Sequence, residues 1–429
     1  MKKAVYLITI TILVLTILCS CFACSSKTYG DIEKSGDYAL GESAFSILED
    51  ISEYYPNRSV ISSESEDFVN ELNLMISSYG YNVEKQDFTV LIDSKSFETS
   101  NIVCLKDNPN TDKKIIIGCQ WDNCYSYYTS SPDGAYESGA AIASLITLAN
   151  YLKDKDLNYD LEIIFFGAGV KNWYGAKYYL NKLSAKEKEN IQLMINYSML
   201  GSGDNLYMYS RDKSVNYNDY FYQVANANGL NTKKIPTNKR IMDSTLVEDS
   251  IYSYSHFGMF GNHVYFMNEL IPTLSYASFN WEDKTNPSWS EKKGEENVYE
   301  TGNDTLETMV KRVGKDYIVN QLNTVLNSTI STIVVNQNSL LNILEKPDEV
   351  STFAQGNTAA YIFGIGVKLV IIVVIIVLTT ISINNFKKNK DLHKVIHANI
   401  QNNINEEKKD EDVFEEEKQN ENDSDDVFQ

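Results

Sequence analysis

The sequence predicts an α/β fold: a mostly parallel mixed sheet sandwiched by helices, plus one C-terminal transmembrane helix. Three observations carry this. Short apolar, β-branched runs at 115–117, 161–166 and 191–197 read as buried strands. Helical patterns at 140–152 and 173–183 alternate with them, and such alternation builds a parallel sheet covered on both faces. Finally, Tyr361–Ile383 is a 23-residue run, apolar apart from Tyr361, Lys368 and three hydroxyl side chains, long enough to cross a bilayer.

The chain begins with Met1-Lys2-Lys3 and an apolar run to Ala23, the pattern of a secretory signal or an uncleaved anchor. Leu18-Cys19-Ser20-Cys21 resembles a bacterial lipobox, which makes Cys21 a candidate lipidation site. Lipidation, cleavage near Ala23 and retention all stay open. Helical periodicity follows at 44–52 and 66–79, with Gly80 as the stop. Strands are expected at 81–92, 101–105 and 271–277, and a helix at 220–228. Asp304-Thr305 is placed to cap a further helix containing Leu306, Met309 and Val310. The lysines 387, 388, 390 and 394 follow the long apolar run, so the positive-inside rule puts the tail in the cytoplasm and the large domain outside. The expected organisation is 1–24 signal peptide, lipoprotein leader or anchor; 25–37 linker; 38–345 extracellular domain; 346–358 linker; 359–383 membrane span; 384–429 acidic tail.

The net charge of −20 argues against a nucleic-acid partner. The last 24 residues carry twelve Asp/Glu against three Lys, and the tail from Asn399 reads as disordered. Asp412-Val413-Phe414 recurs at 426–428, two apolar beads that suit either a docking partner or a solvated tail. Outside the leader only Cys104, Cys119 and Cys124 remain, an odd number that implies no complete disulfide framework. Burial as small apolar residues is the expectation, with a Cys119–Cys124 bridge as the alternative.

The domain is organised around 113–139. A buried strand stops at Gly118-Cys119, Gln120-Trp121-Asp122 stand at its end, a tyrosine-rich loop follows, and Ser138-Gly139 open an apolar helix. Functional groups in open α/β sheets collect beyond such strand ends. Around this stretch, ordered landmarks accumulate: Tyr55-Pro56-Asn57-Arg58, Gly80-Tyr81, Asn101-Ile102-Val103, Gln120-Trp121-Asp122, Gly134–Gly139, Phe166–Val170, Ile195–Gly201, Asn262-His263 with Ile271-Pro272, and Tyr299–Thr305. In sequence and order they resemble the motifs of the family-twenty-eight zinc aminopeptidases.

That resemblance implies a pair of zinc ions sharing a bridging aspartate, each with a histidine and a further carboxylate, and a glutamate as general base. Zinc lowers the pKa of its water and polarises the scissile carbonyl; the glutamate moves the proton. This sequence departs from the pattern at every such position. Gln120 stands at the first histidine, and Ala135 or Tyr136 (with one residue deleted, Glu137) at the bridging aspartate. Gly169 stands at the base, Val170 at the adjacent ligand, Ser198 at the third carboxylate and Glu300 at the last histidine. Asp122, which orients the first histidine in active members, is retained. The expected cofactor is therefore none: zinc is what the family implies, and its ligands are absent.

Each survivor also has an ordinary reading. Asp122 suits a strand-end hydrogen-bonding role, Asp133 the Pro-Asp-Gly turn, and Glu137 a helix N-terminus. Glu300 suits a solvated loop or a bound cation or peptide amine. His263 reads as a packed histidine, and Tyr125, Tyr127 and Tyr128 as surface packing or the lining of a cleft. The function expected is that of a membrane-anchored pseudo-aminopeptidase, which binds a peptide or protein partner outside the cell without hydrolysing it. The alternatives are a metal-dependent peptidase using Asp122, Asp133, Glu137 and Glu300 around a hard cation, and a purely structural surface protein.

Overall fold

The computed structural model describes residues 32–124, 132–170, 172–209, 216–234, 261–279, 298–299, 301–345, and 377, 380–381, 384 and 387–405. Residues 27–354 form one unit built on an eight-stranded sheet. Two helices come first, α1 (Gly41–Tyr54) and α2 (Ser65–Ser78), followed by the antiparallel pair β1 (Asn82–Ile92) and β2 (Lys95–Lys106). Then come β3 (Lys114–Gln120), a π-helical turn (Ala135–Gly139) continuous with α3 (Ala140–Leu152), and β4 (Asp160–Phe166). Next are α4 (Tyr174–Lys182), α5 (Ala185–Asn190), β5 (Ile191–Tyr197), β6 (Asn205–Tyr209), α6 (Asn216–Ala227) and β7 (Thr232–Lys234). The unit closes with α7 (His263–Asn268), β8 (Thr273–Phe279), α8 (Leu306–Val313), α9 (Lys315–Ile330), a second π-helical turn (Ser331–Val335) and α10 (Gln337–Glu345).

The strand order is β1-β2-β4-β3-β5-β8-β6-β7. The centre, β4-β3-β5-β8, is parallel, and antiparallel pairs lie on both sides of it. Alternate side chains of β3 enter opposite faces of a sheet covered on both sides, which explains its apolar interior from Ile115 to Cys119. Ile115, Ile117 and Cys119 enter the larger core with α1, α2, α3 and α9. Ile116 faces the smaller core of Ile164, Phe166, Met194, Ala176, Leu180 and Phe266. Helix α3 is apolar nearly all round because it is buried nearly all round. Cys104, Cys119 and Cys124 are free, so the Cys119–Cys124 bridge does not form.

The fold class needs one correction. Among the described residues no helix is long and apolar enough to cross a membrane, which overturns the transmembrane helix expected at 359–383. Most of that stretch, the leader with Cys21, and residues 406–429 lie outside the described residues. An apolar run reports that a segment is suited to burial, and its period alone does not say what buries it. A second difference is that 387–405 are helical, past the expected start of a disordered tail at Asn399. Leu392, Ile396, Ile400 and Ile404 recur at helical spacing there, a signal that composition alone hides.

Close approach at the sheet centre yields a test. A Cβ on Gly118 would lie 2.5 Å from the Phe166 ring and 2.9 Å from the Ile164 carbonyl. Gly118→Ala is therefore expected to cost about 1–3 kcal/mol, read as a lower midpoint in thermal or urea unfolding.

Candidate functional site

The site lies where β3 and β4 end. Gln120 closes β3, and the Trp121 N–H continues the ladder to the Phe166 carbonyl at 3.0 Å. Trp121 is buried, and its indole N–H donates to the Ser100 carbonyl at 2.8 Å, fixing the turn that follows. Beyond β4, Ala168 has φ +52°. The next two amides point at Asp122: its carboxylate accepts from Gly169 N–H at 2.6 Å and Val170 N–H at 3.2 Å. The aspartate that would orient a histidine in an active relative thus serves as a staple between two strand ends.

Gln120 is 7 % exposed and fills the space in front of Gly169. A Cβ on Gly169 would stand 2.4 Å from Gln120 Cβ and 2.7 Å from its Oε1. The glutamine amide donates to the Glu137 carboxylate at 3.3 Å. The other Glu137 oxygen accepts from Cys124 N–H at 2.9 Å. Glu137 itself is 1 % exposed.

A second carboxylate group holds the helix starts. Asp304 accepts from the Tyr136 and Glu137 N–H groups at 2.8 and 3.0 Å, at the positive end of the π-turn and α3. Asp133 reciprocates: it accepts from its own loop at Ala135 N–H and from Leu306 N–H at the start of α8. Thr305 completes that cap by accepting from Thr308 N–H. The expected Asp304-Thr305 cap is thus divided between two helices.

Arg58 stands among these groups. It is fully buried and donates to the carbonyls of Trp121 (3.1 Å) and Tyr55 (2.8 Å) and to Ser138 Oγ (3.0 Å). Its guanidinium lies over the Phe68 ring at 5.6 Å. Burial lowers its pKa, and the fields of Asp133, Asp304, Glu137 and Asp122 oppose that shift. Burial, in turn, raises Asp122 to about 6 and Asp304 to about 7, against their backbone hydrogen bonds and the Arg58 charge.

The structure brings together Gln120, Asp122, Glu137, Gly169 and Val170. Ser198 is half-buried just past β5, whose Asn196 pairs with Gly118; register sets Ser198 level with Gln120. Its N–H donates to the Tyr276 carbonyl at 3.1 Å. His263 is buried, with its ring edge-on to Tyr209 at 6.0 Å, in keeping with the packed-histidine reading. Tyr125, Tyr127, Tyr128 and Glu300 lie outside the described residues. Arg58 and Asp304 are the residues whose importance the sequence understates. One signal existed: Arg58 is one of only four arginines among 38 basic residues.

These residues do not fit a zinc pair. Gln120, Gly169, Val170 and Ser198 offer no imidazole, thiolate or carboxylate, and the carboxylates of Asp122 and Glu137 accept from groups of the chain itself. Among the described residues no three His, Cys, Asp or Glu side chains are grouped to hold a metal.

Comparison with known proteins agrees with this architecture. The profile of Peptidase family M28 matches residues 101–324. The chain belongs to peptidase family M28. No curated protein matches it. Among solved structures, a zinc aminopeptidase from Bacillus subtilis is 12 % identical, with TM-score 0.55, over 71 % of this chain and 97 % of that one. Glutaminyl cyclases from Porphyromonas gingivalis (17 %, TM-score 0.50, 69 % and 98 %) and an Acidobacteriales bacterium (17 %, TM-score 0.51, 74 % and 100 %) are also similar. At such identities the likeness concerns the fold. In this M28 chain the sheet and site loops are those of the fold, while the site is an internal hydrogen-bonded cluster.

The cluster has a pH signature. Asp122 and Asp304 bind protons more tightly folded than unfolded, so the folded state holds more protons between about pH 4 and 7. Stability therefore falls as pH rises through that window and levels off above it. Unfolding at pH 5 and pH 8 should differ by on the order of 2–4 kcal/mol, lower at pH 8. Asp304→Asn should flatten most of that slope, as followed by thermal unfolding across pH 4–8.

Proposed function

We propose that this M28 domain is a pseudoenzyme, which binds a peptide or protein partner in the region of the former catalytic cleft and does not hydrolyse it. One observation carries the reading: the Gln120 side chain occupies the space in front of Gly169, where a general base would project. Any side chain at 169 would meet the Gln120 Cβ at 2.4 Å and its Oε1 at 2.7 Å, so a glutamate there needs the two strand ends to shift apart. Asp122 and Asp133 satisfy backbone amides, and Glu137 satisfies the Cys124 amide and Gln120. That leaves them poor candidates for an altered metal site. The fold is shared with enzymes described as zinc aminopeptidases and glutaminyl cyclases. A short peptide end is therefore the ligand class to try first. The basic, apolar leader supports an extracytoplasmic setting for this binding.

The test pairs an activity assay with a binding assay on the full chain. A panel of aminoacyl p-nitroanilides with added zinc, manganese or magnesium should show no turnover above background. A peptide library passed over the immobilised protein should leave a retained, sequence-related set. Gly169→Glu alone should restore no activity and should lower the unfolding temperature. Chelator-sensitive turnover by the wild-type chain would establish the metallopeptidase alternative instead.

A further inference from the structure

Residues 32–40, ahead of α1, form no helix or strand and run antiparallel along α9 and the π-turn after it. Their main chain is held by a row of asparagines. Asn336 accepts from Glu33 N–H and donates to the Glu33 carbonyl, both at 2.9 Å. Asn327 does the same for Tyr38, also at 2.9 Å both ways. Asn323 accepts from the Leu40 and Gly41 N–H groups, and Asn228 of the segment after α6 accepts from Ser35 N–H at 2.9 Å. Ser35 Oγ also meets Ser331 Oγ.

Two features set this apart from ordinary packing. With the segment in place Asn327 and Asn336 are 2 % and 5 % exposed, and each pairs with both the N–H and the C=O of one segment residue while its second amide hydrogen donates within its own helix or turn, to the Asn323 and Ser331 carbonyls. A carboxamide matches a peptide unit donor for acceptor, so this arrangement reads an extended main chain and is nearly blind to its side chains. The segment itself is shallow: Glu33, Lys34, Gly36, Asp37 and Ala39 are exposed, and Ile32, Tyr38 and Leu40 are only partly buried against the core. The segment thus lies at the surface and is held chiefly through its main chain. A Cβ on Gly36 would meet only the Tyr38 ring, at 3.9 Å, and the backbone freedom of glycine offers a pivot between the two asparagine grips.

We propose that the face of α9 and its π-turn, from Asn323 to Asn336, is a main-chain-reading peptide site. Residues 32–40 fill it in cis, and it accepts an extended peptide when they leave. The ligand class is an unstructured strand with a small residue opposite Ser331 and an apolar residue five positions further on, as Ser35 and Leu40 provide. This site is distinct from the strand-end cluster.

Two measurements on the full chain test it. By hydrogen exchange, the amides of Glu33, Ser35 and Tyr38 should exchange at least about 100-fold faster than those of β3 and β5, reporting local release. Exchange in step with the core strands would overturn the proposal. The Glu33→Pro, Tyr38→Pro double variant removes two strap donors and leaves the groove intact. It should bind a labelled synthetic peptide of residues 32–40 saturably at one per chain. Adding Asn327→Leu should weaken that binding at least about tenfold. A folded double variant that binds no peptide would overturn the proposal. If that variant does not fold, the wild-type exchange result decides alone.

Discussion

A single buried cation holds the strand-end cluster together. Arg58 has no solvent contact, yet three of its hydrogen bonds reach β3's end, the turn before α2 and the start of α3. Four buried or half-buried carboxylates surround it in charge, though its hydrogen bonds go to carbonyl and hydroxyl oxygens. Uncompensated carboxylates in such an interior would be strongly disfavoured. In an active relative two metal ions would carry positive charge into this region. In this chain Arg58 and the helix N-termini are what supply it.

The carboxylates then divide the structural labour. Asp122 ties β3's exit to the loop after β4. Asp133 and Asp304 exchange helix starts across more than 160 residues of sequence. Glu137 closes the loop at Cys124 and receives Gln120. Asp122, Asp133, Glu137 and Asp304 thus all meet groups of the chain. Backbone amides satisfy the carboxylates that stand at these strand and helix ends.

Much of this was legible in the sequence, for reasons that differ by element. Helix 140–152 and strand 191–197 match their expected bounds because both are buried over nearly their whole length, which leaves a long apolar run in the sequence. The strand-end positions Gln120, Asp122, Glu137, Gly169 and Val170 converge because glycine-marked turns fix the backbone whatever the side chains do. Helices α9 and α10 were not expected. Their Asn, Ser and Thr are weak helix formers; in α9, Asn323 and Asn327 hold residues 38–41, while Ser328 and Thr329 meet the hydroxyls of Tyr276 and Tyr197. The short strands β6 and β7 and the helix α7 also escaped notice, being too brief for any period to show. The roles of Arg58 and Asp304 rest on contacts between distant residues, which no local pattern records. The transmembrane expectation rested on apolar length and the lysines that follow it, and no helix among the described residues is long and apolar enough to bear it out.

The central claim, that of the proposed function, is our proposal that the chain's own groups fill the place a metal pair would take. Calorimetric titration of zinc into the full chain at neutral pH tests it most directly. The account predicts no saturable binding tighter than about 1 μM, and an unfolding temperature unchanged by zinc or by chelator. Stoichiometric zinc binding below that limit, abolished by Glu137→Gln, would contradict it.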